Sequence, residues 1–457
     1  MLTRIKLKNF RAFREEVDVR IRPITILIGR NSAGKSTLIK FLLMLQQTLE
    51  SSEGDFFATE GRHVSLGNFS DLKNYLSRSN SFKFTLDLKT NDLPDPTIQQ
   101  IREEIQQSKS VKNLGGDVTN LNIKLTTSST TIDRDPLTEG TETVRVDTTV
   151  PAEELMAEFC IFGRIPYRKS TNAEHKVTCK IGGKEVLKKK ENNIRRTRFL
   201  SFPLPHNKIE IIKSAFDNLY LNGIRHEIIS MRHLSPVREE SERSVILGSP
   251  PPDDVGHRGE YAMPHLQRLL DEGGEKADFM LKHIESVVDI EDVKFKAKVK
   301  GFIPEFRAKN KLTGAEAYLA DFGFGVSQCI PIFVQGALLN KGQLLIVEQP
   351  EAQIHPAAQL EMGSFFADLW KERGVPCLIE THSENIILRL RKLITKGELA
   401  SEDVTIAYFH VEENENNENI VRVTNLSIDS KGVLEKGLPM SFFGADVIEA
   451  LGIRPGS

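Results

Sequence analysis

The chain has 457 residues, 39% of them hydrophobic and 27% charged, with a formal net charge of −2. This is the composition of a globular protein able to bury a core, and the length predicts one large domain with insertions or two to three units. No apolar run reaches the roughly 18–20 residues of a membrane helix, and no apolar segment of a secretory leader follows the basic start MLTRIKLKNFRAF. Cys160, Cys179, Cys329 and Cys377 form no CxxC pair, which speaks against a disulfide framework and a zinc site and for a reducing, cytoplasmic setting with no membrane partner.

In chain order, residues 2–8 alternate through Leu2, Ile5 and Leu7, residues 17–21 alternate again, and Ile24-Thr25-Ile26-Leu27-Ile28 is continuously apolar. These patterns predict two half-buried strands and a third buried on both faces. Leu38, Phe41, Leu42 and Leu45 fall on one face of a helix expected over 35–49. Residues 82–88 and 121–125 read as strands and 98–108 as a short polar helix. The Thr- and Ser-rich stretch 126–150 reads as edge strands or a loop. No sustained heptads and no internal repeat occur, so a long coiled coil is not expected.

Beyond residue 230 a helix is expected over 261–286 and strands over 290–298 and 303–308. A loop entering a helix follows at 323–340, then a strand at 343–347, a helix at 359–373 and a buried strand at 376–379. Strands at 403–411 and 419–427 flank the acidic run at 412–419, which suits a hairpin tip. Alternating strands and helices predict an α/β fold with a mixed or parallel sheet and helices on its faces. The expected boundaries are 1–74 and 231–430 for the two parts of one nucleotide-binding domain, 75–230 for an α+β insertion, and 431–457 for a tail.

The segment Gly29, Arg30, Asn31, Ser32, Ala33, Gly34, Lys35, Ser36, Thr37 fits G-x4-GK[ST], between a buried strand and an amphipathic helix. Two glycines let the backbone curl so that N–H groups converge on phosphate oxygens. The helix N-terminus adds about half a positive charge. Lys35 is placed to reach the β- and γ-phosphates of ATP, and Ser36 offers its hydroxyl to Mg²⁺. Leu344-Leu345-Ile346-Val347 delivers Glu348 at the carboxyl end of a strand, a second Mg²⁺ ligand candidate. Gly325 and Ser327, in GFGVSQ at 323–328, open a helix and form a second anion site. His382, after the strand at 376–379, is positioned to donate to a γ-phosphate.

These four motifs occur in the order found in ABC ATPases, and the chain resembles the RecF/OLD-like, SMC-related branch of that superfamily. IKLKNFRAF, VSLGNFSDL at 64–72, HLSPVREESER at 233–243 and GHRGEY at 256–261 carry the resemblance beyond the motifs; it is weakest over 75–230. It implies an ABC-type P-loop ATPase in which Gly325 and Ser327 of one subunit cap the ATP held by Lys35 of another, in a homodimer or higher homo-oligomer. It makes His382 the switch histidine, Gln46 or Gln47 a Q-loop candidate, and Arg11 a residue able to reach the nucleotide. Many relatives follow the acid at 348 with a catalytic glutamate; Gln349 stands there instead, a poor general base, with Glu351 two residues on as a substitute.

Three functions fit these residues. The first is a bacterial anti-phage ATPase acting on a separate effector such as a nuclease, since the roughly 75 residues after His382 hold no acidic cluster for a Toprim site. The second is a RecF-like repair ATPase binding duplex DNA through Lys188, Lys189, Lys190, Arg195, Arg196 and Arg198, a cluster that reads equally as a solvated loop or helix face. The third is a nucleotide-binding scaffold with little turnover. Lys35→Ala is expected to abolish saturable binding of labelled ATP and phosphate release; equal release from wild type and variant removes the ATPase reading.

Overall fold

The computed structural model describes residues 2–51, 57–77, 81–89, 120–130, 140–149, 157–164, 174–181, 184–192, 225–241, 243, 251–299, 303–415 and 417–435. Its strands are β1 (Leu2–Lys8), β2 (Val17–Arg20), β3 (Ile24–Gly29), β4 (Ser81–Lys89), β5 (Asn120–Thr130), β6 (Gly140–Thr149), β7 (Ala157–Arg164), β8 (Glu174–Ile181) and β9 (Lys184–Asn192). They continue as β10 (Arg232–Leu234), β11 (Ile290–Val299), β12 (Ile303–Asn310), β13 (Glu316–Tyr318), β14 (Leu345–Glu348), β15 (Cys377–Glu380), β16 (Val404–Glu413) and β17 (Asn419–Leu426). The longer helices are α1 (Lys35–Glu50), α2 (Ala262–Glu272), α3 (Glu275–Val287), α4 (Phe324–Leu338), α5 (Pro356–Arg373) and α6 (Glu384–Thr395). None among the described residues is long and apolar enough to cross a membrane.

The chain divides into two compact units. The first comprises 1–21, 31–230 and 410–423; the second comprises 22–30, 231–409 and 424–457.

In the first unit, β2-β1-β4-β5-β6 form an antiparallel sheet. The alternation of β1 buries Leu2, Ile5 and Leu7. Beneath lies an aromatic cluster in which Phe10 meets Phe41 and Phe82 edge-on, both at 5.4 Å, and Phe41 meets Phe84 at 5.0 Å. Such pairs contribute about 0.5–1.5 kcal/mol each beyond their buried area, and Phe41 thereby ties α1 to the sheet. A second antiparallel sheet, β7-β8-β9, lies in the same unit.

In the second unit, β10, β14, β15, β3 and β16 as far as Phe409 run parallel in that order. β3 and β15 are buried along their full length, as expected for strands covered on both faces. Ile26, Val347 and Ile379 share one core with Ile330 and Phe333 of α4, Phe365 of α5 and Leu390 of α6. A smaller antiparallel sheet, β11-β12-β13, completes the unit. The α/β class and the sheet with flanking helices are as the patterning predicts.

Several local expectations change. The helix expected over 261–286 is two helices, because Gly273 and Gly274 both take positive φ (63° and 80°) and cannot continue a right-handed turn. Of the stretch 126–150, the described residues are the end of β5 and the whole of β6, which lies at the edge of its sheet, in keeping with the edge-strand reading. The expected boundary at 74/75 falls inside a sheet, because β4 hydrogen-bonds to β1 along its length. Lys188, Lys189 and Lys190 lie on β9, neither in a loop nor on a helix face. The helix expected over 98–108, and Arg195, Arg196 and Arg198, lie outside the described residues.

His283 of α3 is buried between Phe279 (4.7 Å) and Phe365 (5.2 Å). Burial pushes its pKa from the ordinary 6.5 down to about 4, outweighing the nearby Asp368 carboxylate, while Lys282 lowers it further. A folded pKa below the unfolded one means that the unfolded chain binds the extra proton, so this stability is complete above about pH 6.5 and is lost as pH falls toward 4. Each unit of depression corresponds to about 1.4 kcal/mol. Denaturant midpoints measured between pH 7 and 5 are expected to fall less steeply for His283→Leu than for the wild type.

Candidate nucleotide site

The glycine-rich turn begins at the last residue of β3, in the second unit. Gly29 has φ +143°, and a Cβ there would lie 2.2 Å from the Phe409 carbonyl oxygen of β16. No other residue fits so close to a neighbouring strand. The turn continues into the first unit, where Ser32 (φ 63°) and Gly34 (φ 99°) take left-handed conformations. A Cβ on Gly34 would lie 2.5 Å from the Phe13 ring and 3.5 Å from the Ala12 methyl. α1 starts immediately after it, with the Thr37 N–H donating to the Gly34 carbonyl at 3.0 Å.

Lys35, the first residue of α1, is 4% exposed, Ser36 is half-buried, and Arg30, Asn31 and Ser32 are exposed. Phosphate oxygens suit such a turn, since only glycine leaves the backbone open to them and the amides of a helix start converge there.

Arg11 belongs to the 10–13 segment that packs on this turn through Ala12 and Phe13. Its main chain is pinned: the N–H donates to the Leu72 carbonyl at 2.7 Å, and the carbonyl accepts from Asn74 Nδ2 at 2.6 Å. Gln46 and Gln47 do not fit a Q-loop role. They lie about three turns beyond Lys35, about 16 Å along α1. Both are buried and engaged there: Gln46 Nε2 donates to the Ile229 carbonyl (3.2 Å), and Gln47 Oε1 accepts from the Val64 N–H (3.1 Å).

In the second unit, Glu348 ends β14 beside Glu380 of β15. One of its oxygens accepts from His233 Nε2 at 2.7 Å, and His233 Nδ1 lies 3.1 Å from His257 Nδ1. A carboxylate braced this way is the oxygen donor a hard divalent cation prefers. Gln349 follows with φ +46°, its N–H donating to the Glu380 carbonyl at 2.7 Å.

Glu351 is fully used. Its Oε2 accepts from the Thr381 hydroxyl and its Oε1 from the His382 N–H, both at 2.7 Å. It anchors the turn that carries His382. His382 is exposed, and Ser383 next to it caps α6 by accepting from the Ile386 N–H.

The mouth of α4 also differs from expectation. Gly323 is exposed, Phe324 is 42% exposed, and Gly325 is half-exposed against the Gln353 carbonyl. Ser327, by contrast, is 3% exposed, because one turn into the helix its side chain faces the core. At the mouth of α4 the backbone near 323–325 is therefore the more exposed part, while the Ser327 hydroxyl lies buried one turn in. Sequence reasoning also gave no role to His233, Arg238 and His257. Their only signal was membership of the HLSPVREESER and GHRGEY stretches.

A family model described as AAA ATPase domain matches residues 1–242 and 258–387. No curated protein matches. Among solved structures, the chain aligns with an SMC head bound to the C-winged helix domain of ScpA, at 9% identity, covering 94% of this chain and 98% of that one, with a TM-score of 0.41. It also aligns with the SMC head domain from Thermotoga maritima, at 8% identity over 94% and 99% of the two chains, TM-score 0.36. A third alignment is with an Smc head with an extended coiled coil bound to the C-terminal domain of ScpA from Pyrococcus furiosus, at 9% identity over 93% and 96%, TM-score 0.39.

The double acceptance by Glu351 has a measurable consequence. Glu351→Ala leaves the Thr381 hydroxyl and the His382 N–H without this acceptor and is expected to cost about 1–3 kcal/mol. Amide exchange at His382 rises in the variant. Glu351→Gln, which keeps one acceptor oxygen, loses less.

Proposed function

Because the chain belongs to the AAA ATPase domain family, we propose that it is an ABC-type ATP switch. It binds ATP with Mg²⁺ on residues 29–37, hydrolyses it slowly, and pairs with a second copy while the triphosphate is intact. The observation that carries this reading is the turn itself: Gly34 is held left-handed against Phe13 and delivers a buried Lys35 to the first turn of α1.

In this reading the amides of residues 31–36 and the Lys35 ammonium hold the β- and γ-phosphates. The Ser36 hydroxyl and the Glu348 carboxylate hold Mg²⁺, which supplies charge neutralisation to phosphoryl transfer when bound. Gln349 orients the attacking water through its carboxamide but takes no proton from it, which makes turnover slow. His382, on a turn anchored by Glu351, donates to the γ-phosphate and loses that contact after hydrolysis. The exposed amides at 323–325 cap the nucleotide of the second copy. Loss of the γ-phosphate releases that cap, and a separate effector protein reads the change, in anti-phage defence.

Two measurements test the switch. Gln349→Glu is expected to raise kcat about tenfold or more, because it restores a base beside the water. Sedimentation of the wild-type chain with Mg²⁺ is expected to show doubled mass with a non-hydrolysable ATP analogue and not with ADP. A chain that stays monomeric with saturating ATP excludes the capping arrangement.

A further inference from the structure

Arg238, in the segment after β10, is 1% exposed. Its guanidinium spans two backbone carbonyls: Nη2 donates to Glu348 at 2.6 Å and Nη1 to Gln328 at 3.3 Å. Its own main chain is locked to the same glutamine, since Gln328 Oε1 accepts from the Arg238 N–H (3.1 Å) and Gln328 Nε2 donates to the Arg238 carbonyl (3.0 Å). Gln328 lies one turn inside the mouth of α4. Four hydrogen bonds therefore join that helix, through one arginine, to the carboxyl end of β14.

The peptide linking Glu348 to Gln349 is gripped at both of its polar atoms. Arg238 holds its oxygen, and the Glu380 carbonyl holds the Gln349 N–H at 2.7 Å. That grip sustains the left-handed Gln349 (φ +46°), a conformation disfavoured for a residue other than glycine. The direction in which Gln349 leaves the backbone is thus set by this peptide.

A purely structural explanation fits poorly. Burial pushes the guanidinium pKa down to about 10, a desolvation that an apolar side chain of similar volume would not incur. The fork does not end on a carboxylate either; both donors go to main-chain oxygens on two different elements, a rigid planar link that lysine or methionine cannot reproduce.

We propose that Arg238 is a positioning residue that couples the mouth of α4 to the Glu348–Gln349 peptide, so that an anion engaged at residues 323–325 sets the geometry of the water-orienting glutamine. This rests on the ATP-switch reading above. Displacement of α4 moves Gln328, Gln328 moves Arg238 through its paired main chain, and Nη2 turns the peptide it holds. Turnover then answers to engagement of the helix mouth, while ATP binding on residues 29–37 does not.

The test compares wild type with Arg238→Lys, Arg238→Met, Gln328→Met and the Arg238→Met/Gln328→Met pair, using ATP and ADP as the probes. Arg238→Met is expected to lower kcat about tenfold or more with KM within about threefold, and Arg238→Lys to recover part of the loss. The double variant loses no more than the worse single one, since the two residues act as one link.

Independently of turnover, hydrogen exchange is followed at 323–330 and 345–353. In wild type ATP changes both segments; in folded Arg238→Met and Gln328→Met it changes only the first. A wild-type chain in which ATP alters neither segment overturns the switch and the coupling together. A wild-type response that persists in both segments of folded Arg238→Met and Gln328→Met overturns the coupling alone. Additive kcat losses in the double variant also overturn it.

Discussion

The parallel register of β14, β15, β3 and β16 is the constraint on which the site depends. Glu348 pairs with Glu380, Glu380 with Leu27, and Gly29 with Phe409, so β14, β15 and β3 end within two residues of one another at the carboxyl end of the sheet. Strands that run the same way expose all their carboxyl ends together, and crevices at those ends are where ligands bind on open α/β sheets. A slip of one residue would turn every side chain to the opposite face. It would carry Glu348 into the core with it. Full burial of β3 and β15 resists that slip.

Along that edge, similar groups acquire different tasks from their surroundings. Glu348 is braced through its side chain by His233 and through its carbonyl by Arg238. Glu351, three residues later, spends both oxygens on Thr381 and the His382 main chain. The first is held ready as an oxygen donor; the second ties the loop after β14 to the loop after β15. Buried polar groups in such networks are strong because each is satisfied, and removing one member strands the others. The same reasoning separates Gly325, whose surroundings leave room only for backbone, from Ser327, which the helix turns inward.

The turn at residues 29–37 reaches a comparable precision by steric means. Gly29 meets a strand carbonyl and Gly34 meets an aromatic ring, each within the distance a Cβ would need. The Phe13 ring therefore does more than fill the core of the first unit; it shapes the backbone on which Lys35 begins a helix.

Much of this was legible in the residues alone. The glycine spacing of 29–37, the apolar run ending at Glu348 and the order of the motifs depend on local chemistry, which sequence displays directly. Element boundaries followed where periodicity was strong, as in β1, β3, α1 and α4. Tertiary structure decided the rest. The Arg238–Gln328 and Arg238–Glu348 links join residues 90 and 110 apart, and no local pattern announces such a meeting. Gln46 and Gln47 looked available, but packing buries them, and the burial of Ser327 was likewise invisible in the sequence. Residue type and spacing establish which chemistry a segment can perform. Only the packing of distant segments establishes which groups remain to perform it, because burial and hydrogen bonding are properties of neighbours in space.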